Sequence, residues 1–262
     1  MLRYLRLYYH FFRNSLIRLF EFRFNVFILS VVQIVWLGVM LGSITLIFGQ
    51  VDSLAGWRKQ EVLILAVIAM LFHDIMEMLF MGNLQRFSYY VRHGEFDFIL
   101  LKPVNARFLA SFRQAEFYNI FRMAAMIFVL TKLLPQANVQ PSGGQWALFL
   151  GFFVAGLIVF YNLFFLVTTT NFWLINVFNF NDIFDRLLSA GRYPVDIFKG
   201  RIKWFFLYII PLGLVGTFST EILFGKLRPL SLIFAGFALV LTTLVSEFFW
   251  RFALKHYQSA SS

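Results

Sequence analysis

The feature that most constrains this chain is the recurrence of apolar runs long enough to cross a bilayer. About 20 mostly apolar residues span the hydrocarbon as a helix. Such runs occupy about 26–48, 62–82, 116–134, 146–168 and 230–250. Composition agrees: 60% of residues are hydrophobic and only 14% charged, against about a quarter charged in soluble domains. That is more apolar surface than one soluble core can hide. The sequence therefore predicts an all-α integral membrane protein with six transmembrane helices, forming a single transmembrane domain over 1–262.

The sixth crossing must lie within 172–224. The stretch 172–190 is apolar but interrupted by Asn176, Asn179, Asn181, Asp182, Asp185 and Arg186. The stretch 204–224 is more apolar but contains Pro211 and Gly213. Only one need cross. The other lies in the interface, or dips in and returns with protein or water satisfying its backbone.

Arg and Lys set the orientation, because cytoplasmic loops carry the excess of both. Arg3, Arg6, Arg13, Arg18 and Arg23 crowd the N-terminal stretch, and Arg86, Arg92, Lys102, Arg107 and Arg113 the loop at 83–115. The loop at 49–60 has only Arg58 and Lys59, and that at 135–145 has none. The N-terminus and the 83–115 loop are thus expected inside and, with six spans, so are Arg251 and Lys255. The same count draws 181–203 inside, through Arg186, Arg192, Lys199, Arg201 and Lys203, and favours 204–224 as the fifth span. The formal net charge of +10 is read in this light as contact with anionic lipid and not with nucleic acid.

Residues 3–24 read as an amphipathic interfacial helix. At 100° per residue, Arg3, Arg6, His10, Arg13, Asn14 and Glu21 share one side, opposite Leu5, Phe12, Leu16 and Leu19. No small-residue cleavage site follows a short apolar core, so the first run is expected to stay.

Signs of bond-making chemistry are few. With no cysteine, disulfides and thiolate sites are excluded. There is no GxxxxGK[ST], G-x-S-x-G or HExxH motif, so neither a bound cofactor nor a catalytic residue is expected. The one enzyme-like cluster is His73, Asp74 and Glu77, inside the second span. His73 and Glu77 are i,i+4 neighbours. Ionisable groups within a span are costly and mark functional positions. A metal would need further ligands, and the other histidines, His10, His93 and His256, lie in cytoplasmic segments, so no metal is expected. The cluster reads as a polar face toward another helix or a water-filled path. Arg122 in the third span either pairs with Asp74 or Glu77 or snorkels to the inner surface.

Two stretches carry a family resemblance. Gly94-Glu95-Phe96-Asp97-Phe98-Ile99-Leu100-Leu101-Lys102-Pro103-Val104 resembles a segment of type-2 ABC exporter permeases. Arg192-Tyr193-Pro194-Val195-Asp196-Ile197-Phe198, then Ile209-Ile210-Pro211-Leu212 and Leu223-Phe224-Gly225, with Phe172-Trp173 upstream, is similar to one branch of that family. That branch pairs with a second, related permease. Span order and loop lengths extend the resemblance to nearly the whole chain.

On its own chemistry, Gly94 starts a turn and Pro103 stops a short helix. Between them Phe96, Ile99 and Leu100 offer an apolar face beside Glu95 and Asp97. Such a helix either docks in a groove of a soluble partner or simply lies in the interface. The resemblance implies that 94–104 is the coupling helix, with Gly94, Glu95, Phe96, Asp97, Phe98, Leu100, Leu101 and Pro103 meeting an ABC ATPase subunit. It implies that 172–190 is the fifth span and that 204–224 is a re-entrant outer element before the last span. Asp182, Asp185, Asp196 or lipid phosphates would then accompany the basic residues outside.

The function so implied is the permease subunit of an ATP-binding-cassette transporter. It exports an unidentified substrate with ATP bound by the partner ATPase. It sits in the bacterial plasma (inner) membrane, multi-pass with both termini cytoplasmic, beside a second permease of the same or related sequence and membrane lipids. The rival readings are an intramembrane enzyme using His73, Asp74 and Glu77, and a structural or channel-like protein without energy coupling.

Overall fold

A computed structural model describes residues 2–174 and 180–257. Among them it holds helices and no β-strand. Helix α1 (Leu2–Glu21) is separated by Phe22 alone from α2 (Arg23–Ile47), the first of four helices long and apolar enough to cross a membrane. The others are α3 (Lys59–Arg92), α7 (Gly143–Thr169, with a 3-10 turn at Thr170–Phe172) and α11 (Pro229–His256). Helix α6 (Ile120–Gln136) has 17 residues. At about 1.5 Å each it is at the short end of what crosses, and it packs against α2 and α3. Shorter helices complete the chain: α4 (Phe96–Leu100), α5 (Ala106–Phe112), α8 (Phe180–Ala190), α9 (Gly200–Trp204) and α10 (Thr217–Leu223).

Helix α3 is the hub. Every residue from Val62 to Met70 is buried, so this stretch has protein on all sides, as a helix hydrophobic all round must. Phe72 meets the edges of Phe153 and Phe160 on α7. Gly156 lets α7 come close: a Cβ there would stand 3.0 Å from both the Leu214 carbonyl and the Phe72 ring. The α3 helix continues well past the apolar run at 62–82. It does so because the polar side chains beyond find partners in the loop ahead of α6. Asn83 and Gln114 exchange two hydrogen bonds, of 2.6 and 2.9 Å, and Arg86 pairs with Glu116 at 2.7 Å.

The α1 helix is covered by protein on one side, while Leu5, Tyr9, Ile17 and Phe20 stay exposed. Tyr4 and Tyr8 meet Phe108 and Phe112 of α5 edge-on, and Phe12 meets Phe117. Ser15 Oγ accepts from the Ala115 amide. The N-terminal helix thus clamps the segment that follows α4.

The two ends of the bundle are marked by different contacts. At the α4 end, Phe96, Phe172, Trp250 and Tyr257 form one aromatic cluster. At the other end, Trp57 Nε1 donates to Asp196 (3.1 Å), and Lys226 pairs with Glu61. Between Phe172 and Asp196 the chain therefore passes from one end to the other. Residues 175–179, including Asn176 and Asn179, and the side chains of Asn181 and Asp182 lie outside the described structure.

Between Asp196 and Lys226 the chain leaves the second end and returns to it. It runs through α9, a π turn at Phe205–Ile209, a 3-10 turn at Leu212–Leu214 and α10. Pro211 breaks the path, since it has no N–H to give a helix. Among the described residues, neither 172–190 nor 204–224 is one helix of spanning length.

Candidate functional site

His73, Asp74, Glu77 and Arg122 come together with Gln33 of α2 and Asp185 of α8. Asp74 of α3 is fully buried. Arg122 of α6 holds both its oxygens: Nε donates to Oδ2 at 2.8 Å, and Nη2 donates to Oδ1. Its Nη1 donates to Gln33 of α2. A two-pronged guanidinium–carboxylate pair fixes geometry as well as charge, so Arg122 locks α2, α3 and α6 and does not snorkel. His73 lies between two carboxylates, with Nδ1 3.8 Å from Asp74 and Nε2 3.6 Å from Asp185 of α8. Asn119 Nδ2 donates to Glu77 at 2.7 Å.

At Glu77 the helix widens into a π turn, Glu77–Met81, a departure frequent at functional sites. Within it the Met78 carbonyl accepts from the Glu116 amide at 3.0 Å.

Ligand atoms of His73, Asp74 and Glu77 fall within 4.8 Å of one another, close enough for one ion. Arg122, however, already occupies both Asp74 oxygens and brings a positive charge to the spot where a cation would sit. Elemental analysis of the purified protein is therefore expected to find no stoichiometric zinc or iron. A metal at one equivalent, lost in His73→Ala, would show a site instead.

The 94–104 segment is the second candidate, at the end of the bundle that its basic residues assign to the cytoplasm. Gly94, at φ +69°, takes the left-handed turn that closes a helix and that side chains resist. The five-residue α4 then divides its apolar side chains between two faces. Phe96 (0% exposed) and Ile99 turn inward, Phe96 meeting Phe87, Phe172, Trp250 and Tyr257. Phe98 (67%) and Leu101 (79%) face outward beside Leu100, Lys102 and Pro103. The single apolar face of Phe96, Ile99 and Leu100 is thus corrected. Phe96 and Ile99 anchor the helix, because both are buried in the core and the aromatic cluster covers Phe96. Phe98, Leu100 and Leu101 are the free ridge, with Glu95 and Asp97 half-buried at its side.

Sequence reasoning missed Arg107, counting it only as a cytoplasmic charge. From α5 it donates to Glu247 (2.9 Å) and Ser246 (2.9 Å) on α11 and to Asn162 (2.8 Å) on α7. Its guanidinium lies 4.4 Å from the Phe165 ring centre. The helix next to α4 is thereby tied to two spans. The available signal was the presence of Asn162 and Glu247 within otherwise apolar runs.

The second motif sits at the opposite end. Arg192 and Tyr193 follow α8, and Arg192 Nε is buried without a hydrogen-bond partner among the described residues. Pro194 opens a 3-10 turn, Val195–Ile197, whose Val195 amide donates to Thr217 of α10 at 3.2 Å. Pro211 lies buried between the π and 3-10 turns. Burial pushes the Asp196 carboxyl up, but hydrogen bonds from Lys203 and Trp57 outweigh it and hold the group below its ordinary range.

Long apolar helices around a buried Arg122–Asp74 pair, with a short helix presented at one end and tied to the long ones, define an all-α membrane-embedded protein. A family model described as ABC-2 family transporter protein matches residues 34–261, and the chain belongs to that family. It is thus the membrane subunit of an ABC transporter, a class that works with an ATPase subunit. No curated protein and no solved structure matches it.

Proposed function

We propose that this permease is the export channel half of a transporter driven by ATP hydrolysed in a separate subunit, and that the ATPase docks on the ridge of Phe98, Leu100 and Leu101. The observation that carries this reading is the division of α4 into an anchored face and a bare apolar one. A ridge of exposed large apolar side chains marks an interaction site. Phe96 joins the ridge to Trp250 and Phe172, and Arg107 joins the next helix to α7 and α11. A push on α4 by the closing ATPase then reaches the spans through packed, ion-paired contacts. The permease itself makes and breaks no covalent bond.

The exposed apolar faces of α2 and α11, carrying residues such as Trp36, Val39, Phe237 and Phe248, suit lipid and a second permease of the same or related sequence. The Arg and Lys distribution supports cytoplasmic termini in a bacterial inner membrane.

Replacing Phe98 and Leu101 with Asp tests the docking. Copurification of the ATPase is expected to be lost while membrane insertion is unchanged, because neither side chain packs inside. Copurification at the parental level would reject the ridge as the contact.

A further inference from the structure

The Trp57 end holds a set of joined cavities that coupling to an ATPase does not explain. One, of about 300 Å³, is bordered by charged groups including Glu61, Asp196, Glu221, Lys226 and Arg228. It shares Asp196, Glu221 and Arg228 with a second, of about 120 Å³, whose remaining wall includes Leu207, Tyr208, Leu230 and Phe234. That one shares Tyr208 and Phe234 with a groove of about 260 Å³ between α7 and α11, walled almost wholly by apolar side chains down to Val245. Polarity therefore falls steadily from the end of the bundle toward its middle.

Charge pairing within the polar part leaves a particular remainder. Lys203 neutralises Asp196 at 2.8 Å, and Lys226 neutralises Glu61. Glu221 and Arg228 line both polar cavities, yet among the described residues neither is in an ion pair. Glu221 is only 9% exposed, and its Oε2 is buried with no hydrogen-bond partner among the described residues. A buried carboxylate without a donor is costly, so the site calls for a ligand that brings a cationic N–H group. Arg228, exposed at the rim of both cavities one residue ahead of α11, offers a guanidinium, which suits phosphate.

The groove supplies the third requirement. From Phe234 to Val245 it follows α11 for roughly 16 Å at 1.5 Å per residue. One leaflet of hydrocarbon is about 15 Å deep, half of ~30 Å. Tyr208, which lines both the second cavity and the groove, stacks on Trp204 at 4.7 Å, and such aromatic residues are enriched at a membrane interface.

We propose that this cleft binds a zwitterionic phospholipid with a primary-amine headgroup: ammonium to Glu221, phosphate to Arg228 and an acyl chain along the α7–α11 groove. A quaternary ammonium has the same charge but no N–H to donate, so the site discriminates between the two headgroups. An anionic lipid without an amine leaves Glu221 unpaired and is disfavoured.

The test uses the full-length permease without its ATPase, so its outcome is independent of the docking on α4. Phosphatidylethanolamine, phosphatidylcholine and phosphatidylglycerol with matched chains are offered in detergent, and retained lipid is counted by native mass spectrometry. The parent is expected to retain phosphatidylethanolamine over phosphatidylcholine by about tenfold, as loss of one hydrogen bond to a charged group implies. Glu221→Gln should abolish that preference, and Arg228→Gln should lower retention of all three. Equal retention of the ethanolamine and choline lipids by the parent, or preference for phosphatidylglycerol, overturns the proposal whatever the variants do. So does a preference unchanged in Glu221→Gln.

Discussion

Replacing Arg122 by Met is expected to lower the apparent unfolding midpoint of the purified permease by roughly 10 °C or more. Asp74 is fully buried, and both of its oxygens are held by Arg122. Removing one partner leaves a buried charge uncompensated, which costs about 3–5 kcal/mol. Gln33 loses its donor at the same time, so α2 loses its polar tie to Arg122. The measurement is the fraction of monodisperse protein surviving graded heating. The double change Arg122→Met with Asp74→Leu is expected to recover most of the loss, since apolar side chains can replace a buried pair at little cost. A single variant as stable as the parent would show that the pair does not hold the three helices, and a double variant no better than the single would place the cost elsewhere.

A cysteine at Lys199 is expected to react fully with a membrane-impermeant reagent in intact cells, and one at Lys102 only after the cells are opened. Both side chains are exposed, and the chain has no cysteine of its own. The expectation runs against the count of basic residues around 181–203. It follows from the path of the chain. Asp196 bonds to Trp57 and Lys226 to Glu61, near the start of α3, whereas Lys102 follows its far end. The 34 residues of α3 put about 50 Å of helix between those ends. Part of the positive charge is also matched locally, as Lys203 is by Asp196. Lys199 labelled only in opened cells would put this stretch inside and reverse the assignment of the Trp57 end.

The lipid-scale features were legible without coordinates because they depend on local composition. A run of apolar residues of sufficient length must be helical in hydrocarbon whatever its neighbours do, and α2, α3, α7 and α11 occupy such runs. The same holds for the α4 turn, where Gly94 and Pro103 punctuate the chain locally. Even there, the sequence alone showed one apolar face. Whether Phe96 or Phe98 turns inward depends on Phe172, Trp250 and Tyr257, which are distant in sequence.

What the sequence by itself determined was therefore the solvent, the class of fold and the family. The first two rest on apolar runs of about twenty residues. Only the tertiary structure decided the pairing of Arg122 with Asp74 over snorkelling, the tie from Arg107 to Asn162 and Glu247, and the return of the chain between Asp196 and Lys226 to a single end. It also placed Glu221 and Arg228 on the cleft of the outer-assigned end with no ion pair among the described residues. The physical reason is common to all four. An ionisable side chain in a low-dielectric interior takes its state from whichever groups the fold brings within a few ångströms, and sequence spacing does not say which those are.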